Sequence, residues 1–461
     1  MRRSLLASAA LALLAGRARA QSVTAAQLDS IIAQTVNDKH IVGLSVGVMQ
    51  SGRVILAKGY GVRDLSSHAP VTPQTMFAVG SVTKQFTCTL ALMLAEQGKL
   101  SFSDPVAKWY PALTRAKDIT LLDIGGHLSG YRDYYPLDFV DQEMQKDAMP
   151  DEIISRYATR PLDFEPRSRY SYSNTGYLIL GRVVEKVGGA PFAQQLTDHI
   201  LTPLGMKRTA YEPAMNGDMA RGYTSFGLSD PLPADAEAKG WAATAGAIYS
   251  TPSDLLAWDL SLVEHTLLSK KSYDVMATAQ HLTDGRSSGY GCGESVIDRG
   301  SPAVTLTHGG AVAGFVAQNS IIPATRSAVV LLSNTDFSPI GALQQQLAQL
   351  LMPATPDLPN VVGAPALTSA KKFLTELQNG VIDLSTLGED FTQYLTGERV
   401  AAARKALNTM GAITNIRIAG TNERGGMEVA TVLFDVGKTP ARGLMYRTPD
   451  GKIQEFLFSR N

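Results

Sequence analysis

Ser81 and Lys84 stand three residues apart at the head of an apolar run, within Phe77-Ala-Val-Gly-Ser-Val-Thr-Lys-Gln-Phe86. On a helix, positions i and i+3 share a face, so this spacing lets the lysine amine meet the serine hydroxyl. A free hydroxyl is a weak nucleophile near neutral pH and needs an adjacent base. A lysine can be that base when burial or a neighbouring positive charge lowers its pKa. The start of a helix also presents backbone N–H groups carrying partial positive charge, which suit an oxyanion. The chemistry implied is acyl transfer through a serine ester.

The pair alone is a weak signal, since average composition yields about one or two chance matches in a chain of this length. Ser369-Ala-Lys-Lys372 has the same spacing, yet it opens an ordinary helix where Thr368 or Ser369 reads as an N-cap. Ser81 is distinguished by its company: Tyr172-Ser173-Asn174 in mid-chain and His308-Gly309-Gly310, followed by Ala311, further on. A phenol of ordinary pKa about 10 becomes a usable base beside a cation, and Lys84 would supply one. His308 reads as a pocket wall that orders the site or binds an anionic group, and His127 as a structural residue of a turn. Tyr131, Tyr134 and Tyr135 read as a packed loop sooner than as the lining of a pocket mouth, and Arg156, Arg160, Arg167 and Arg169 as a solvated basic face.

Metal chemistry has no comparable signature. The seven histidines are scattered and no H-E-x-x-H or C-x-x-C pattern occurs, so no metal or cofactor is expected. Cys88 and Cys292 could form one disulfide in an exported protein, but they cannot build a disulfide scaffold or a zinc site by themselves. Cys88, inside the apolar run Phe86 to Leu94, reads most simply as a buried small hydrophobe.

These residues must be positioned by distant elements. A helix over Ala25 to Asp38 precedes two strands, Val42 to Met49 and Val54 to Gly61, joined by a turn at Ser51-Gly52. Residues 80 to 265 read as mainly helical, with Ser81 to Gln97 ending at Gly98, Asn174 to Val187 ending at Gly188-Gly189, and a further helix opening at Pro252. Strand character returns at 289–298, 303–307, 313–322 and 327–334, before a helix from Pro339 to Leu351. Strands at both ends with helices between predict one antiparallel sheet built from the two ends and flanked by helices, an α/β (α+β) architecture with a helical insertion. The proline-dense stretch 353–365 reads as a linker. A small α+β domain is expected over 366–461: helices at Ser369 to Asn379 and Glu398 to Met410, then strands at 413–419, 426–436, 441–448 and 452–458.

Composition sets the frame. The chain has 461 residues, 44% hydrophobic and 18% charged, which fits a folded globular protein. Its 42 basic and 42 acidic residues balance, arguing against a nucleic-acid or anionic-membrane surface, which needs a concentrated positive field. Residues 1–20 carry a positive start at Arg2-Arg3, an apolar stretch Leu5 to Ala15 and a small-x-small site at Ala18-Arg19-Ala20. This is the pattern of a secretory signal peptide cleaved after Ala20. Its apolar stretch is about half the ~20 residues that span a bilayer. A periplasmic or secreted protein is expected, with no integral membrane segment after cleavage and a small molecule or peptide as its partner.

With these motifs in order, the sequence resembles the serine β-lactamase and penicillin-binding-protein family, in particular its class C β-lactamase, DD-carboxypeptidase and esterase branch. The flanking words resemble it too: His127-Leu-Ser-Gly130, Tyr170-Ser-Tyr-Ser-Asn-Thr-Gly-Tyr177, Ala245-Gly246 and His308-Gly-Gly-Ala-Val-Ala-Gly-Phe315. The resemblance spans about 25 to 350 and makes 21–352 a hydrolase domain. It implies Ser81 as nucleophile, Lys84 as its base partner and Tyr172 as proton shuttle, leaving the formal base open between the last two. Asn174 would orient Lys84 and bind the substrate, and the N–H groups of Ser81 and Ala311 would form an oxyanion hole beside His308, Gly309 and Gly310. His308-Gly309 replaces the Lys-Thr that typical β-lactamases offer to the antibiotic carboxylate, so the resemblance implies a peptidase or esterase sooner than a β-lactamase. A competing implication is a penicillin- or peptidoglycan-binding sensor that is acylated and stalls. The C-terminal part resembles an NTF2-like α+β cone weakly and is expected to be accessory.

Overall fold

The computed structural model describes residues 23–137, 139–227, 229–298, 303–353 and 359–460. The expected leader over 1–20 and the 354–358 part of the expected linker lie outside the described residues. The chain divides into two compact units, one ending at Pro353 and one beginning at residue 354.

In the first unit, helix α1 (Ala25–Asp38) starts at Thr24, whose side chain accepts from the N–H of Gln27 while Gln27 reaches back, and it buries Leu28 and Ile32. Strands β1 (Gly43–Gln50) and β2 (Arg53–Asp64) form the expected hairpin, and β3 (Ala69–Pro70) pairs with β2. Strands β4 (Ser295–Ile297), β5 (Thr305–Val312), β6 (Phe315–Ile322) and β7 (Ser327–Ser333) come from the other end of the sequence. The result is a seven-stranded antiparallel sheet in the order β3-β2-β1-β7-β6-β5-β4, with the two chain ends joined where Leu44 faces Ser333 and Met49 faces Ala328. The architecture expected from the sequence is the one observed.

Strand β7 is buried along its whole length because both faces are covered. Ala328, Val330 and Leu332 enter the large core beneath the helical insertion. Val329 and Leu331 alternate into a second core closed by α1 and a helix at Ile340–Leu351. The helix that carries Lys84, α2 (Thr83–Glu96), crosses the large core with eleven of its fourteen residues buried. Helix α3 (Asn174–Gly188) packs against it and is capped by Ser173, whose hydroxyl accepts from the Gly176 N–H.

Two strand expectations are corrected. Within 289–298 only Ser295–Ile297 is a strand, because 290–294 turns to carry Tyr290 to His308 and Cys292 to Cys88. Tertiary partners there outweigh β propensity. The strand expected at 303–307 runs on to Val312, so the His-Gly-Gly segment lies within a strand and the turn falls at 313–314.

The second unit contains helices α4 (Ala366–Asn379), α5 (Glu389–Tyr394) and α6 (Gly397–Met410), then strands β8 (Ile413–Arg424), β9 (Met427–Val436), β10 (Thr439–Arg447) and β11 (Ile453–Arg460) in a four-stranded antiparallel meander. Its own core joins Phe373, Phe391, Val432, Phe434 and Phe456. Helix α4 begins three residues earlier than expected, so Ser369 lies inside it and is no N-cap. Ser369 accepts from Arg447 while Lys372 pairs with Asp383 at 2.8 Å, so this second S-x-x-K serves structure.

Candidate active site

Ser81 sits in a single 3-10 turn, Gly80–Val82, that feeds directly into α2. Gly80 has φ +51°, and a Cβ there would lie 2.7 Å from the Ala311 nitrogen of β5. At Gly310 a Cβ would stand 1.9 Å from the Val79 carbonyl oxygen and 3.1 Å from the Ser81 nitrogen. Two glycines thus let the turn and the strand touch backbone to backbone, which brings the Ser81 and Ala311 N–H groups to one place.

Lys84 is fully buried. Its Nζ lies 3.0 Å from Ser81 Oγ, 2.8 Å from Asn174 Oδ1 and 2.8 Å from the Ala245 carbonyl oxygen. Burial pushes its pKa down to about 7, against an opposing pull from Asp133. A neutral amine in this setting donates its two hydrogens to Asn174 and Ala245 and turns its lone pair toward the Ser81 hydroxyl. The Lys84 nitrogen also stands 4.8 Å from the centre of the Tyr172 ring and 5.3 Å from that of Tyr177.

The Tyr172 hydroxyl is buried without a well-formed hydrogen bond, although Ser81 is near enough to favour its ionised form. Burial is the larger effect and drives its pKa well above 10. Burial thus keeps the Tyr172 phenol protonated and makes the Lys84 amine easy to deprotonate, a difference that bears on which of the two could act as a base.

Two histidines are kept neutral. His308, 5% exposed, is pushed down to about 3 by burial and then by the charge of Lys84. Its Nε2 lies 2.8 Å from the Tyr290 hydroxyl and its Nδ1 faces the Gly309 carbonyl, so the ring offers hydrogen bonding and no positive charge to an anionic group. His127 is buried and lowered well below 6.5, chiefly by burial. Its Nδ1 accepts the Ser173 N–H at 3.1 Å, and its ring centre lies 4.2 Å from that of Tyr172, so it holds the Tyr-Ser-Asn segment in place.

These groups face a cleft of about 920 Å³ lined by Ser81, Tyr172, Asn174 and the stretch His308 to Ala311. Tyr134 and Tyr135 line it as well, whereas Tyr131 is buried in the core. The acids Asp133, Asp235 and Asp336 line it, and no lysine or arginine does among the described residues. Of the arginine group, Arg167 is more than a solvated charge: it binds the buried Asp123 at 2.6 Å.

The structure adds partners that the sequence left unmarked. Asp133 accepts the N–H of Asn174 at 3.0 Å and its Nδ2 at 3.2 Å. It lies in a loop without periodicity, and nothing in its spacing from Asn174 announces the contact. The Ala245 carbonyl is a backbone group, invisible to residue type. Cys88 is buried as expected but bonded to Cys292, one turn along α2 from Lys84.

The family model described as Beta-lactamase matches residues 28–351. A penicillin-binding protein of Bacillus subtilis (strain 168) is 25% identical over 318 residues, covering 66% of this chain and 70% of that one. The teichoic acid D-alanine hydrolase of Staphylococcus aureus (strain MRSA252) is 32% identical over 237 residues, 49% of this chain and 56% of that protein. The octameric penicillin-binding protein homologue from Pyrococcus abyssi shares the fold with a TM-score of 0.63 at 22% identity, over 95% of this chain and 96% of that one. With the match running from α1 through the helix that closes the second core, and so across every strand and helix that shapes the cleft, the chain belongs to the β-lactamase family.

Proposed function

We propose that the protein is an exported serine hydrolase that cleaves an ester, amide or peptide bond through a covalent Ser81 ester. The observation that carries this reading is the Ser81–Lys84 contact at 3.0 Å, made by a buried amine whose other two partners are acceptors. Neutral Lys84 takes the Ser81 proton as Oγ bonds to the substrate carbonyl carbon, and the oxygen that becomes negative meets the N–H groups of Ser81 and Ala311. The proton passes by way of the Tyr172 hydroxyl to the leaving group as its bond to carbon breaks. Water then cleaves the acyl ester with the same groups acting in reverse, and Asn174 holds both Lys84 and the substrate.

The relatives named for D-alanine hydrolysis and penicillin binding support acyl substrates of the D-amino-acid or cell-wall kind. A β-lactam carboxylate needs a cation, and neutral His308 in a cleft lined by aspartates supplies none, so turnover of activated esters is expected to exceed that of penicillins. Export is supported by the leader pattern and by the Cys88–Cys292 disulfide, a bond that persists in oxidising compartments. Intact-mass spectrometry with an activated ester tests the reading: an acyl adduct should form on the parent protein, followed by steady product release, and be lost in Ser81→Ala. An unchanged rate in Ser81→Ala would rule out the assignment, and a burst with no release would mark a stalled binder.

A further inference from the structure

Asp133 accepts three hydrogen bonds beside the Ser81–Lys84 pair. One carboxylate oxygen accepts the backbone N–H groups of Asn174 (3.0 Å) and Tyr135 (3.2 Å), and the other accepts Nδ2 of Asn174 (3.2 Å). Asn174 in turn offers Oδ1 to Lys84 at 2.8 Å, and Lys84 reaches Ser81. An amide can rotate by half a turn at little steric cost, exchanging its acceptor for a donor. Rotated, Asn174 would aim an N–H at Lys84 and compete with Ser81 for the lone pair of the neutral amine. The carboxylate of Asp133 accepts only, so it excludes the rotated state, in which two acceptors would face each other.

We propose that Asp133 is a positioning residue for acyl transfer: it locks Asn174 with its oxygen toward Lys84, which keeps the Lys84 lone pair directed at the Ser81 proton. This role rests on the hydrolase reading above. Asp133 also bears on Lys84 through its charge. The titratable groups around Lys84 are Asp133 from the 131–135 loop, Tyr172 and Tyr177 from the α3 side, His127 from its turn and His308 from β5. Burial keeps both phenols protonated and both imidazoles neutral, so Asp133 is the group whose charge holds the Lys84 pKa up.

The test is Asp133→Asn, alone and combined with Asn174→Ala, assayed on an activated ester across pH with the melting curve as a check on folding. An asparagine at 133 can present a donor to Asn174 and so permits the rotated amide. Plateau kcat/KM should fall about 10–100-fold, the scale of a lost orientation. The acid limb should move to lower pH by roughly half a unit to one unit, since the charge that raises the Lys84 pKa is gone. In the Asn174→Ala background the same change should cost little further at the plateau, because Asp133 acts through that amide. A limb that stays in place, or losses that add fully, would overturn the role. Should Asp133→Asn not fold, Asp133→Glu keeps the charge and displaces the acceptor: kcat/KM should fall with the limb unmoved, and a parental rate would overturn the proposal. A parent protein that never acylates at Ser81 removes the hydrolase reading and this role together, whereas an acylating parent with additive variants removes this role alone.

Discussion

At Lys84 an amine that would ordinarily be protonated is held with a pKa of about 7 by complete burial. Base function requires the neutral form, so kcat/KM should rise with pH through about 7 and level off above it. Lys84→Ala should lower kcat/KM by several decades, on the order of the 10²–10⁴-fold carried by a general base or more, while leaving the melting curve close to the parent's. A variant with the parental pH profile would show that another group is the base. At this scale much was legible, because Ser81 and Lys84 are near in sequence, although the structure joins them through a 3-10 turn at Gly80–Val82 that leads into α2 and not through one helix from Ser81. Asp133 was not legible, since its contact with Asn174 spans 41 positions and depends on a loop.

Among the elements, the contact between the Gly80–Val82 turn and β5 decides whether the Ser81 and Ala311 N–H groups lie close enough to serve as the proposed oxyanion hole. At Gly310 a methyl group would meet the Val79 carbonyl at 1.9 Å, a backbone atom that cannot swing aside. Gly310→Ala should therefore push the strand from the turn and lower kcat about 10²–10³-fold, the cost of losing one oxyanion donor. Titration with the activated ester would show acylation slowed and the fold retained if the strand shifts locally. Acylation at the parental rate would mean the two backbones are not held together in this way. Periodicity located these elements well, and α1 matches its expected span. It missed the extent of β5, because glycines inside a strand read as turn residues until a neighbouring backbone claims the space they leave.

For the whole molecule, the Cys88–Cys292 disulfide joins α2 to the segment bearing Tyr290 across a sequence separation of 204. Closing so long a loop restricts the unfolded chain, and its reduction should cost about 2–4 kcal/mol of stability. The measurement is the melting temperature with and without reductant, which should agree if the bond is absent. Burial also acts through Glu294, which lies fully buried with neither carboxyl oxygen hydrogen-bonded and is pushed up to about 8 from an ordinary 4.5. Between those values the folded form holds a proton that the unfolded form releases. Its contribution to stability is therefore complete below about pH 4.5 and declines as pH rises toward 8, by at most about 1.4 kcal/mol per unit. Glu294→Gln should flatten the melting temperature between pH 5 and 8, and an unchanged slope would show that another group sets it.

The amino-acid sequence by itself determined most of the local order: where the main helices and strands fall, though not all their bounds, which serine and lysine come together, and which three motifs stand out from chance. Such information lies in periodicity and in neighbours a few positions apart. Only the tertiary structure decided the electrostatics, since the lowered Lys84 pKa, the neutral His308 and the fixed Asn174 amide all arise from groups brought together across the chain. Desolvation and hydrogen-bond direction are properties of a closed space, and no stretch of sequence encloses one until the chain has folded around it.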